Sequence, residues 1–185
     1  MATATLDTVT TTIEGPERVL VSLDSSYELG EGSLYAHQLA AGPGYLHVDI
    51  LGHTCSVHRP EAGGATVTYR LPGPVGTVVP VANGKQLLVA LATGPAFVDL
   101  ATGRVTPVAG ADVEAHLPGN RANDGKAGPD GRFYYGTMAR AAGTDGVRPT
   151  SGALYVMDHD GSVRRLLDGV NTSNGLAWSA DAKLF

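Results

Sequence analysis

Cysteine is almost missing from this sequence. Cys55 is the only one in 185 residues, so no intrachain disulfide can form and a cysteine-rich zinc site is excluded. Positive charge is also scarce: thirteen Lys and Arg stand against eighteen Asp and Glu, for a formal net charge of −5. Such a chain offers no basic field to nucleic acid or to an anionic membrane surface. An anionic substrate would need a local cation, for which Arg121 and Lys126 are the candidates. No segment approaches the roughly 18 consecutive apolar residues of a membrane helix. Met1 to Thr12 is rich in Thr and Ala but has neither a basic opening nor a long apolar run. That argues against a cleaved secretory signal, and a cytoplasmic protein is the expectation. Neither a Gly-x-Ser-x-Gly elbow nor a phosphate-binding Gly-rich loop occurs, so serine-hydrolase and nucleotide chemistry find no support.

Glycine and proline, in contrast, are abundant. Twenty-five glycines and eleven prolines without a collagen-like period accompany 43% hydrophobic and 17% charged residues, the composition of a turn-rich all-β protein with a core. The length suggests one domain, or part of a larger one. Residues 1–15 are expected to form a disordered tail and residues 19–23 a short strand, within a domain covering 16–185. Turn glycines then recur ahead of strand-like runs, at Gly44, Gly84 and Gly131, with spacings of 40 and 47 residues, and a fourth unit opens near Ala182, 51 residues on, before Lys183-Leu184-Phe185. Each complete unit carries further strands after its first, as in Ala96-Phe97-Val98-Asp99-Leu100 and Ala153-Leu154-Tyr155-Val156-Met157. Four short antiparallel strands at this repeat length indicate propeller blades. A β-sandwich has regular turns too, but no reason to repeat at this length. A ring of blades left open exposes strand edges, so the sequence reads as about three and a half blades of a truncated propeller.

Two stretches could carry chemistry. Glu31 lies between Gly30 and Gly32, where the backbone can turn sharply. Arg121-Ala122-Asn123-Asp124-Gly125-Lys126 packs four functional side chains ahead of a Pro-Asp-Gly turn and reads as a loop able to hold a polar ligand or a metal. In an extended loop Arg121 and Asn123, at i and i+2, point the same way. The alternative is a solvated loop.

Gly30-Glu31-Gly32, the Arg121 to Lys126 segment with Gly131-Arg132 and Gly136-Thr137-Met138, and Ser173-Asn174-Gly175-Leu176-Ala177-Trp178-Ser179 occur in that order. Together they resemble the gluconolactonase, regucalcin (senescence marker protein) and luciferin-regenerating enzyme family, over roughly residues 17 to 185. The resemblance implies the N-terminal part of a six-bladed propeller that binds one divalent cation near its channel and hydrolyses sugar lactones or related cyclic esters. Glu31 and Asn174 then match two of three protein ligands of the metal, and Arg121 and Asn123 match substrate contacts. The third ligand, an aspartate that also serves as general base, is expected beyond Phe185, so no catalytic residue is assigned within the chain. Oxygen donors suit Ca²⁺, the expected cation, with Zn²⁺, Mn²⁺ or Mg²⁺ as alternatives. The expected partner is a small-molecule lactone, without nucleic acid or membrane.

The chain departs from the family pattern in places. Gly128 stands where an acidic residue is common, and Ala139-Arg140 follows Met138 where animal members carry an acidic substrate contact. These departures keep open a propeller that binds calcium or another ligand without catalysis, and a purely structural propeller. His53, Cys55 and His58 suggest a metal cluster, yet 53 and 55 share one strand face and 58 the other. Asn174 before Gly175 could equally be a turn residue. Asp124 is expected to hold its loop by hydrogen bonds, Asp99, Asp158 and Asp160 to brace turns, and Phe133, Tyr155 and Trp178 to fill the core between blades.

Overall fold

The computed structural model describes residues 26–60, 64–141 and 149–185. The expected tail and the strand expected at 19–23 lie outside them. The described residues form three four-stranded antiparallel sheets, each a meander in chain order. The first holds β1 (Gly30–Ala36), β2 (Gly44–Asp49), β3 (Thr54–Arg59) and β4 (Ala65–Arg70). The second holds β5 (Val75–Pro80), β6 (Gln86–Leu91), β7 (Gly94–Asp99) and β8 (Val105–Pro107). The third holds β9 (Asn120–Ala127), β10 (Phe133–Ala139), β11 (Gly152–Met157) and β12 (Val163–Val170). These are the blades that the repeat implied.

The repeat was out of phase by one strand. The runs that follow the turn glycines are β2, β6 and β10, the second strand of each sheet. Each is preceded by an inner strand, and β5 packs against both β1 and β9. The polar stretch read as a loop is therefore a strand. Its composition conceals this, because Asn, Asp and Gly are depleted in strands and no apolar alternation marks it. Pairing with β10 from Ala127 opposite Phe133 to Asn120 opposite Ala139 supplies the ladder.

The middle sheet is buried on both faces, and its alternation sorts the core. Leu87, Val89 and Leu91 of β6 enter the cluster shared with sheet one, with Leu46, Val48, Val57 and Ala96. Leu88 and Ala90 enter the cluster shared with sheet three, with Phe133, Tyr135 and Tyr155. Phe133 and Tyr155 are thus core as expected, but Trp178 belongs to neither cluster. It is half-buried, edge-on to Tyr134 at 5.1 Å and stacked on Phe185 at 4.8 Å. Tyr134 alternates with Phe133 and Tyr135 and so faces away from the core. The strand expected at Lys183 is not formed. Residues 171–185 hold one bridge, Met138 to Thr172, and a turn in which Ser179 N donates to Leu184 O at 3.0 Å.

The inner strands approach more closely than side chains would allow. A Cβ at Gly76 of β5 would overlap the Asn123 carbonyl, and one at Gly125 of β9 would come within 2.7 Å of the Thr77 methyl. The Thr77 hydroxyl donates to Gly125 O at 2.8 Å, a buried link between sheets two and three. This contact fixes the second half of β9 against β5.

Candidate functional site

β1 begins with a bulge: its register with β2 shifts between Glu31 and Leu34, and Gly32 takes φ +65°, a conformation that glycine adopts without a Cβ penalty. The bulge turns Glu31, which is exposed, towards the inner strands. The segment before β1 is held by Asp49, whose Oδ1 accepts from Leu29 N at 2.9 Å and Gly52 N at 3.0 Å, and whose Oδ2 accepts from Glu28 N at 3.0 Å. Burial pushes the Asp49 carboxyl up, but these amides outweigh it and leave the group below its ordinary value.

On β9, Arg121 and Asn123 do share a side. Arg121 Nη1 donates to Asn123 Oδ1 at 2.6 Å and to Ala122 O at 2.8 Å. Asn123 Nδ2 then donates to Ser173 O at 2.8 Å and Asn174 Oδ1 at 2.9 Å. Arg121 is only 8% exposed and Asn123 9%. Asp124 links the same two segments, since its Oδ2 accepts from Gly175 N at 2.7 Å. Glu31, Asn123, Asp124 and Asn174 line one small cleft, floored by Gly32, Ile50 and Gly76. The structure thus brings together three of the four residues singled out from the sequence. Arg121 stands behind Asn123 and is not among the residues lining the cleft.

The donor set fits a hard cation. Two carboxylates and two amides face the cleft without a Lys or Arg among its lining residues. Asn174 Oδ1 accepts one bond and retains a second lone pair. Glu31 and Asn174 are the groups that could hold such an ion. The other suggested cluster does not assemble. His53 lies in the turn before β3 with φ 55°, Cys55 is buried in the apolar core with its thiol pushed up to about 12 by burial, and His58 Nδ1 is bonded to Thr66 Oγ1 at 2.8 Å.

Sequence reasoning missed Glu114. It is 8% exposed and accepts from Asn120 Nδ2 at 3.0 Å, Thr137 Oγ1 at 2.8 Å and Tyr155 OH at 2.8 Å. It therefore ties β9, β10 and β11 together. Burial first, and then this bond to Glu114, pushes the Tyr155 hydroxyl up to about 12. Asp-Val-Glu-Ala-His at 112–116 reads locally as a surface turn, and no local signal marks the glutamate as buried.

The model of the SMP-30/Gluconolactonase/LRE-like region matches residues 29–185. The chain belongs to this family. Within it, regucalcin of Xenopus laevis is 31% identical over 161 residues, covering 87% of this chain and 52% of the relative. A solved luciferin-regenerating enzyme superposes with a TM-score of 0.74 at 29% identity, covering 85% of this chain and 51% of the other. A calcium-binding regucalcin from Agrobacterium tumefaciens gives 0.73 at 27%, covering 85% and 49%. The chain spans about half the length of the curated family members it matches. Membership establishes the propeller architecture of the three sheets. Among the described residues, no helix is long and apolar enough to cross a membrane.

Proposed function

We propose that the chain carries part of a divalent-cation site that serves hydrolysis of sugar lactones or related cyclic esters. The observation that carries this reading is the convergence of Glu31 and Asn174 on a cleft that Asn123 also lines. Ca²⁺ is the proposed cation, in keeping with the oxygen donors and with the calcium-binding relative. When bound, such an ion supplies Lewis-acid polarisation of a carbonyl. Asn123 lines the cleft with both N–H groups of Nδ2 engaged by Ser173 and Asn174, which leaves acceptor capacity on its Oδ1, and Arg121 orients Asn123 through its bond to that oxygen. Arg121 and Asn123 are the proposed substrate-positioning pair. The base that activates water is assigned to the aspartate that the resemblance puts beyond Phe185.

Calorimetric titration of Ca²⁺, Mn²⁺, Mg²⁺ and Zn²⁺ tests the site. One cation should bind, and Glu31→Ala and Asn174→Ala should each weaken it at least about tenfold. Unchanged affinity in both variants would falsify the assignment. A second reading, cation binding without catalysis, is favoured by the region after Met138. Ala139 is buried there, and Arg140 turns away to donate to Pro118 O at 3.2 Å. Cation binding with no turnover of any aldonolactone would select that reading.

A further inference from the structure

Asn123 and Asp124, adjacent on β9, hold three consecutive residues of the neighbouring segment. Asn123 Nδ2 takes the Ser173 carbonyl at 2.8 Å and Asn174 Oδ1 at 2.9 Å. Asp124 Oδ2 takes the Gly175 amide at 2.7 Å, while its Oδ1 takes the Gly125 amide of its own strand at 2.7 Å. The held segment turns sharply, with Gly175 at φ +72°. Ser173 is pressed against sheet three so closely that a Cβ at Gly136 would overlap its side chain. Asn174 itself is exposed. Burial therefore fixes Ser173 but not the residue whose amide faces the cleft.

We propose that Asp124 is the positioning residue for Asn174. Its carboxylate anchors one oxygen on β9 and the other on the amide that follows Asn174, so the turn cannot swing the Asn174 side chain out of the cleft. The task needs a group with two acceptor oxygens and no donor, which an ionised Asp supplies and Asn or Ser does not. Bonds from amides to an ionised carboxylate are also stronger than neutral ones. Together with Asn123, Asp124 makes β9 the template on which the Ser173–Asn174–Gly175 turn is laid. In its bearing on cation binding, the proposal rests on the reading of Asn174 as a ligand.

The test pairs two readouts on the 185-residue chain: amide and side-chain NMR signals, and affinity for Tb³⁺ as a Ca²⁺ probe. In Asp124→Ala the Gly175 amide should lose hydrogen-exchange protection by at least about tenfold, the Asn174 side-chain signals should shift, and Tb³⁺ should bind about 10- to 100-fold more weakly, as expected for loss of a group that orients a ligand. Asp124→Asn, which keeps one acceptor oxygen and the side-chain shape, should lie nearer the wild type than Asp124→Ala in both readouts. Unchanged Gly175 protection and Asn174 signals in Asp124→Ala would overturn the proposal. So would Asp124→Asn keeping those signals yet losing as much Tb³⁺ affinity as Asp124→Ala, because the residue would then act through charge alone. Asn174→Ala separates the parent reading. If it binds Tb³⁺ as the wild type does, the cation assignment fails, while the NMR signals still decide whether Asp124 holds the turn.

Discussion

The middle sheet and the inner edge of sheet three are both buried, yet they are held by different forces. In β6 the sequence Leu87-Leu88-Val89-Ala90-Leu91 is apolar throughout, and each side chain enters one of two packed clusters. In β9 the residues Asn120, Arg121 and Asn123 are buried polar groups, and each has a hydrogen-bond partner. Burying one Leu or Val contributes about 1.5–3 kcal/mol, whereas a single hydrogen bond contributes about 0.5–1.5 kcal/mol net. The apolar sheet supplies stability. The polar edge contributes less per residue, but its geometry is directional and so can fix where a ligand atom lies.

The largest effect should follow from damage to the apolar side of this comparison. Leu87 is fully buried between sheets one and two. Leu87→Ala removes its packing and leaves a cavity, at an expected cost of about 3 kcal/mol in denaturant unfolding. Cation affinity of the remaining folded protein should be unchanged. A Leu87→Ala protein that stays as stable as wild type would show that the middle sheet is not the main store of stability.

Asp49, the last residue of β2, is the polar counterpart in sheet one. Asp49→Asn removes the charge from all three bonds and leaves at least one of the three amides facing an NH₂ group in place of an acceptor, which should cost about 2 kcal/mol near neutral pH. The wild-type contribution also depends on pH. The carboxyl lies below its ordinary value in the fold, so its stabilisation is present above the unfolded value of about 3.9 and is lost as pH falls through the folded value. The gap in unfolding free energy between wild type and Asp49→Asn should therefore close on acidification. A gap that stays constant from pH 7 to pH 3 would mean that the carboxylate's charge is irrelevant to this anchor.

The same contrast decides what could be read from the sequence. Apolar alternation and turn glycines were enough to give the middle strands and the blade repeat, because burial on a sheet leaves a periodic pattern. The inner strand β9 has no such pattern, since its residues are buried by partners rather than by hydrophobicity, and it passed for a loop. Glu31, Asn123 and Asn174 were legible through motif order. Their assembly in one cleft depends on pairings across about fifty residues, such as Asn123 with Asn174. Glu114 and Asp49 were invisible for a related reason. An acid in a short polar segment looks solvated until its donors are known, and those of Glu114 include Tyr155, 41 residues along the chain.

The smallest effect should come from the point where the two kinds of structure meet. Thr77 is a buried residue of the apolar sheet whose hydroxyl donates across to Gly125 O on the polar strand. Thr77→Val keeps the volume near constant and removes the donor, so it isolates the bond from the packing. The expected cost is about 1 kcal/mol by denaturant unfolding. If the bond also sets the height of β9 against β5, cation affinity should fall with it, because Gly76 of β5 and Asn123 of β9 both line the cleft. A Thr77→Val protein with wild-type stability and wild-type affinity would mean that close backbone packing at Gly76 alone seats β9. The polar edge would then owe its position to shape, and its hydrogen bonds would serve only to aim the side chains.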